Sequence, residues 1–282
     1  MPWNDKYWDI ISNLYWTPRF IGLKSISRDK WKVEGDWISI PRELVTSSSG
    51  PLYFRARKID ELKTYLHGQE EILNHFFNLV FSIAGDEVLS TLFCRPLGIV
   101  DHGPFDSIGR EVGARYGWRD KENVTQQDGF FVSPSSLIGV ELKLDSTSWP
   151  EQIAKYVALM MWEEVHGSPR DNAGLLFIVP TSALSTHWAK VGLSGPKIDR
   201  EFLERLDHAK LPAKIQELFA QRPDHLKAIL DKLRLAVVSW DSFRVQLKEL
   251  EDTADHSSAA GQTLQRLLSG FRAQIEVHQH AN

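Results

Sequence analysis

Cysteine is almost absent: the chain of 282 residues has one, Cys94. That excludes an internal disulfide framework and any thiolate metal cluster built from this chain alone. Long hydrophobic runs are missing too. No stretch approaches the roughly 18 uninterrupted apolar residues of a membrane span. The opening MPWNDKYWDI lacks the basic-then-apolar layout of a secretory signal, so the expected compartment is the cytoplasm, with no membrane partner. Positive charge is not in excess, since 33 Lys and Arg face 37 Asp and Glu for a net −4. Nucleic-acid contact would have to come from a local patch rather than a uniformly basic surface. A Gly-rich phosphate loop ending in Lys-Ser/Thr is absent, which excludes a nucleotide-driven motor of that type. Gly-x-Ser-x-Gly is also absent, because Ser107 sits in FDSIG. With 42% hydrophobic and 25% charged residues, the composition is that of a soluble globular enzyme or binding protein.

Three regions follow one another. Residues 1–60 carry Trp3, Trp8, Trp16, Trp31 and Trp37, read as irregular or short β segments ending at TSSSGP (46–51). Ten basic residues there face seven acids, a mild positive excess, and the tryptophans suit either an aromatic core or stacking platforms for a substrate. Residues 61–183 begin with an amphipathic helix, because Ile72, Leu73, Phe76, Phe77, Val80 and Ile83 keep helical spacing. The apolar run 88–93 continues that helix or forms a second one, and Cys94 at its end reads as a small core residue.

Strand-like segments are expected at 111–118, 124–133 and 137–145, the last two joined by the turn SPSS (133–136). A helix should start near Ser148-Trp149-Pro150-Glu151, where Ser148 and Glu151 have capping-box spacing and Pro150 suits a first turn. GLLFIVPT (174–181) reads as a strand buried on both faces. Residues 184–282 read as a helical C-terminal extension over 200–219, 224–235 and 263–276. LAVVSW (235–240) is a candidate extra strand, and DTADHSSAAG (252–261) a hydrophilic break. His278 and His280 fall in a tail expected to be solvated.

Chemistry concentrates around Glu141-Leu142-Lys143. The same tripeptide at 61–63 has no such context, whereas Glu141 follows LIGV. On a strand, residues two apart share a face, so Glu141 and Lys143 point one way while Val140, Leu142 and Leu144 pack the other. A glutamate and a lysine on an interior face are costly without partners. Asp128 lies on the strand that would pair through SPSS and could converge with Glu141. Two carboxylates suit Mg²⁺, which keeps waters and takes a substrate phosphate as a further ligand. A bound metal lowers the pKa of water and shields phosphate charge, and a lysine can hold the nucleophile. Gln152 and Tyr156, four apart on the next helix, share a face and could reach the same point. Asp145 shares the Glu141 face but lies past the expected ligand spacing. Arg110, Arg115, Arg119 and Lys155 flank the site in sequence and could contact phosphates.

Asp128, Glu141-x-Lys143 and Gln152-xxx-Tyr156, set in a helix, three strands, helix and strand, resemble the PD-(D/E)xK nuclease superfamily. The Gln-xxx-Tyr pair resembles its RecB-like branch. The resemblance covers about 120 residues, from the helix at Glu70 to Thr181, and not the flanks. It implies a restriction-endonuclease-like α/β core: a three-stranded antiparallel meander within a mixed sheet. It also implies a Mg²⁺-dependent DNA phosphodiesterase, with Mn²⁺ able to substitute. Asp128, Glu141 and the Leu142 carbonyl would be metal ligands and Lys143 the catalytic lysine. Gln152 and Tyr156 would orient substrate or the lysine. A glutamate of the first helix often borders such sites; Glu70, nearer the apolar edge than Glu71, is favoured. Gln127 stands where the family has proline, and one cysteine excludes the iron–sulfur members. Two alternatives remain at this level: a nuclease-like scaffold that binds DNA or a protein without cutting, and an RNA-cleaving enzyme. A protein partner or a homodimer fits each reading, and restriction, phage defence and repair all remain open as settings.

Overall fold

The computed structural model describes residues 3–14, 32–34, 37–39, 57–58, 67–68, 70–108, 128–144, 149–198, 202, 206 and 210–278. In chain order it begins with α1 (Trp3–Leu14) and the strands β1 (Lys32–Glu34), β2 (Trp37–Ser39) and β3 (Arg57–Lys58). Next come α2 (Glu70–Ile83), α3 (Asp86–Leu89), β4 (Asp106–Ser107), β5 (Gly129–Val132) and β6 (Ser136–Leu142). Then follow α4 (Pro150–His166), β7 (Asn172–Val179), α5 (His187–Lys190), α6 (Ala213–Gln221) and α7 (Pro223–Lys232). β8 (Leu233–Ser239), α8 (Trp240–Thr253) and α9 (Ala259–Val277) are the last described elements. The strand expected at 111–118, the boundary at 46–51, and Arg110, Arg115, Arg119, Asp145 and His280 lie outside the described residues.

Five strands form a mixed α/β sheet in the order β4-β5-β6-β7-β8. The first three run antiparallel, and β7 and β8 are parallel to β6. The SPSS turn closes the β5–β6 pair: Ser133 N–H donates to Ser136 O at 2.9 Å, and Ser136 N–H donates to Ser133 Oγ at 2.9 Å. Asp101 accepts from the hydroxyls of Ser133 and Ser135, which ties the turn to the loop after α3. Those serines and the Gly103 amide hold the Asp101 carboxyl below its ordinary value although burial pushes it up.

Parallel strands need crossovers that cover the sheet, and the two apolar faces show how this chain supplies them. One face packs Ile138, Val140, Leu142 and Ile178 against Phe76, Phe77, Phe93, Trp240 and Phe271 of the helices on that side. The other packs Leu137, Phe130 and Phe177 against Tyr156, Val157 and Met160 of α4 and Ile229 of α7. β7 is buried along nearly its whole length, as its unbroken apolar run requires. Gly129 allows α2 to come close, since a Cβ there would stand 2.7 Å from Phe77 Cε1.

Several elements differ from the sequence expectation. The Trp-rich start is a helix, α1, because Trp3 and Tyr7, four apart, pack on Phe76 at ring-centroid distances of 5.5 and 5.4 Å. A second, three-stranded sheet of β1, β2 and β3 follows it. Residues 235–240 do add a strand, so the helical C-terminal region contributes β8 to the main sheet, and its last helix α9 packs on α2. Ile83 is 64% exposed at the last residue of α2, past the reach of the core. The start of α4 is capped by Trp149 without a side-chain bond, and Ser148 lies outside the described residues.

His278 is not solvated. It is 1% exposed, with Nδ1 at 3.1 Å from Gly68 O and Nε2 at 3.3 Å from Gln274 Nε2. Burial drives its imidazole down to about 4. Cys94 is buried as expected, its thiol pushed up to about 12 by burial and then by Asp101. No helix among the described residues is long and apolar enough to cross a membrane.

Candidate active site

The β5–β6 register pairs Gly129 with Val140, so the next step outward sets Asp128 across from Glu141. Asp128 takes over where the ladder stops: its Oδ2 accepts from the Leu142 amide at 2.8 Å, between Glu141 and Lys143. Leu142 is fully buried in the opposite face, so Glu141 and Lys143 project toward α4, as the alternation required. Lys143 is held at both backbone ends. Its N–H donates to Ile178 O at 2.9 Å, and its carbonyl accepts from Trp240 Nε1 at 2.8 Å.

These three side chains are all buried: Asp128 is 7% exposed, Glu141 2% and Lys143 8%. Lys143 Nζ lies 2.5 Å from Glu141 Oε1, and Gln152 Nε2 from the first turn of α4 donates to the same oxygen. Glu141 Oε2 has no hydrogen-bond partner among the described residues. Burial raises the Glu141 carboxyl to about 7, against the pull of Lys143 and with the help of the negative Glu70. Burial lowers the Lys143 ammonium, but the Glu141 carboxylate outweighs it. Glu70 and Asp128 add to that effect, so Lys143 ends above its ordinary value and stays charged. Glu70 therefore acts electrostatically on both Glu141 and Lys143. The Glu71 side chain lies outside the described residues.

Tyr156 stands one turn beyond Gln152, fully buried beneath this group. A Cβ on Gly139, two residues before Glu141 on the same face, would lie 3.3 Å from Tyr156 Cδ1. The Tyr156 hydroxyl has no hydrogen-bond partner among the described residues. The geometry joins Gln152 to Glu141 directly and puts Tyr156 in the packing behind them. Lys155 lies half-buried on α4, three residues past Gln152.

Sequence reasoning missed three residues. Asn74 Nδ2 donates to Asp128 Oδ1 at 2.6 Å, and Asn78 Nδ2 donates to the Asp128 carbonyl at 2.8 Å. Glu70, Asn74 and Asn78 recur every fourth residue of α2, a polar line beside an apolar face that could have revealed them. The third is His187, which opens α5 just after β7. It is 4% exposed, with its ring centroid 4.6 Å from that of Phe177, the cross-strand partner of Glu141. Burial, then Lys190 and Lys143, depress its imidazole to about 4, and Nε2 has no partner among the described residues.

Six buried side-chain N or O atoms lack a partner among the described residues, and four belong to Asn74, Glu141, Tyr156 and His187. Each such atom costs about 1–3 kcal/mol when left unsatisfied, so their concentration here argues for a ligand rather than for packing. No family model, curated protein or solved structure matches the chain.

Whether a metal fits depends on its coordination habit. Among the described residues no group of three or more His, Cys, Asp or Glu is gathered to hold one. A cage of that kind suits Ca²⁺ or Zn²⁺; Mg²⁺ is held by one or two carboxylates with several waters and substrate phosphate oxygens. Asp128, the unpartnered Oε2 of Glu141 and the nearby Leu142 carbonyl are hard oxygen donors of that number and type.

Proposed function

We propose that this protein is a Mg²⁺-dependent nuclease hydrolysing DNA phosphodiester bonds, built on a restriction-endonuclease-like core related to the PD-(D/E)xK superfamily. The observation that carries the reading is the bond from the Leu142 amide to Asp128, which gathers two carboxylates and an ammonium in one buried spot. Asp128, Glu141 and the Leu142 carbonyl would hold Mg²⁺ or Mn²⁺. When bound, the ion makes water a nucleophile at neutral pH and shields the charge growing on phosphate. Asn74 and Asn78 fix Asp128 for that task. Lys143, kept protonated by Glu141, positions the attacking water and offsets negative charge. Gln152 holds Glu141 in place. Tyr156 and His187 supply uncharged polar atoms, buried and unpartnered among the described residues.

A scaffold that had given up chemistry would have no physical reason to keep Glu70 and Glu141 repelling each other at a buried site. The test is digestion of linear, circular and single-stranded DNA and of RNA side by side with Mg²⁺, together with calorimetric Mg²⁺ titration. DNA cutting that a chelator stops, with Mg²⁺ uptake lost in Asp128→Asn, is expected. Failure to cut any DNA, with Mg²⁺ uptake indifferent to Asp128, overturns the reading; cutting confined to RNA moves the substrate class.

A further inference from the structure

Resting on the nuclease reading, a second feature speaks to the form of nucleic acid that enters the site. Trp149 is 65% exposed, although tryptophan carries the largest apolar surface of any side chain. Four large hydrophobic residues are well exposed among those described, and Trp149 is the aromatic one. It is also rigid. The backbone is extended at φ −106° and ψ 151°, the region a following proline enforces, and Pro150 is the first residue of α4. The Trp149 carbonyl accepts from the Gln152 amide at 2.9 Å, and the Gln152 side chain donates to Glu141. One short turn thus links the exposed indole to the buried carboxylate.

A second loop adjoins this turn. Pro150 packs on the loop after α5, where a Cβ on Gly192 (φ 77°) would stand 3.4 Å from Pro150 Cγ. Two residues earlier is Lys190, an exposed cation that forms no salt bridge among the described residues. Its charge and that of Lys143 both act on the imidazole of His187, so the loop cation and the site cation share one electrostatic neighbourhood. An exposed indole and an exposed ammonium on two adjoining loops, the first tied through Gln152 to the buried carboxylate, are the chemistry that grips unpaired bases and their backbone.

We propose that Trp149 stacks on a nucleobase flanking the scissile phosphate, that Lys190 takes a neighbouring phosphate, and that the substrate is single-stranded or frayed DNA. A paired base keeps both faces stacked inside the duplex and offers Trp149 nothing until it is extruded. Stacking reads the π-face, which every base has, so the contact is indifferent to sequence.

The test is fluorescence anisotropy with fluorescein-labelled oligothymidylate and a labelled hairpin duplex, in a chelator so that nothing is cut. Wild type should bind the single strand more tightly than the duplex. Trp149→Ala should weaken single-strand binding by about ten-fold or more while leaving duplex binding nearly unchanged. Trp149→Phe should restore most of the loss, and Lys190→Gln should flatten the salt dependence of binding. Equal affinity of wild type and Trp149→Ala for the single strand overturns the proposal, as does an equal loss on both DNA forms. Because Trp149 is exposed, its replacement spares the fold, and thermal melting checks this. Binding lost in Trp149→Ala by a protein that never cuts supports the platform and sinks the nuclease reading. Cutting of single strands that is indifferent to Trp149 does the reverse.

Discussion

Replacing Lys143 with Met tests the electrostatics of the site without reference to any substrate. The substitution keeps most of the apolar stem and removes the ammonium that lies 2.5 Å from Glu141 Oε1. It leaves a carboxyl that is 2% exposed, repelled by Glu70 and still bonded to Gln152. Breaking one side of a buried pair costs about 3–5 kcal/mol. Here the cost depends on pH. Burial already lifts Glu141 to about 7 with Lys143 present, and losing the lysine lifts it further. A carboxyl whose folded pKa exceeds its unfolded value binds more protons in the folded state. Its contribution is intact near the unfolded value and is lost as pH rises through the folded pKa. The variant should therefore follow wild type up to about pH 7 and lose about a further 1.4 kcal/mol per pH unit relative to it above that. Urea unfolding at several pH values, followed by tryptophan fluorescence, measures this directly. Adding Glu141→Gln should remove the slope. A penalty that is flat with pH, or below about 1 kcal/mol at alkaline pH, would falsify the buried-pair account.

Two further outcomes follow from residues away from the site. Gly270 of α9 is required because a Cβ there would fall 1.7 Å from Trp3 Nε1, so Gly270→Ala should evict the indole and break its 3.2 Å bond to Leu267 O. We expect a loss of about 2–3 kcal/mol and faster protease cleavage at the N-terminal helix, against an unchanged rate if the helix is not docked this way. His278 is held uncharged by burial, its pKa near 4 against 6.5 when free. The unfolded chain takes the proton first, so stability is full above the free value and is lost as pH falls toward 4. His187 adds to this with the same sign. Denaturation of His278→Asn across that window should show a shallower acid loss by about 2 kcal/mol, and an unchanged slope would contradict the buried neutral state.

Legibility in the sequence followed the strength of the local signal. The apolar spacing of Ile72 to Val80 and the unbroken run of β7 are both set by burial, and each appears where its pattern points. The SPSS turn fixed the register that sets Asp128 across from Glu141, so the central pairing could be reasoned from one short connection. What escaped depended on tertiary context. Asn74 and Asn78 look like solvated helix residues until β5 brings Asp128 to them. His278 looks like a terminal polar residue until its Nδ1 donates a hydrogen bond to the Gly68 carbonyl. α1 was hidden because tryptophans at short spacing signal burial without saying against what, and its partners come from α2 and α9. His187 carries no sequence pattern, since its place is set by the turn that follows β7.

The most direct measurement of the central claim is the rate at which purified protein cuts labelled DNA with Mg²⁺, compared with Glu141→Gln and Asp128→Asn. Both substitutions keep volume and remove one negative charge from the oxygen set. Wild type should cut in a chelator-sensitive way and each variant should lose about 100-fold or more, with folding preserved as judged by melting temperature. Cutting that survives both substitutions, or a wild-type protein that binds no Mg²⁺ and leaves every DNA form intact, would contradict that claim.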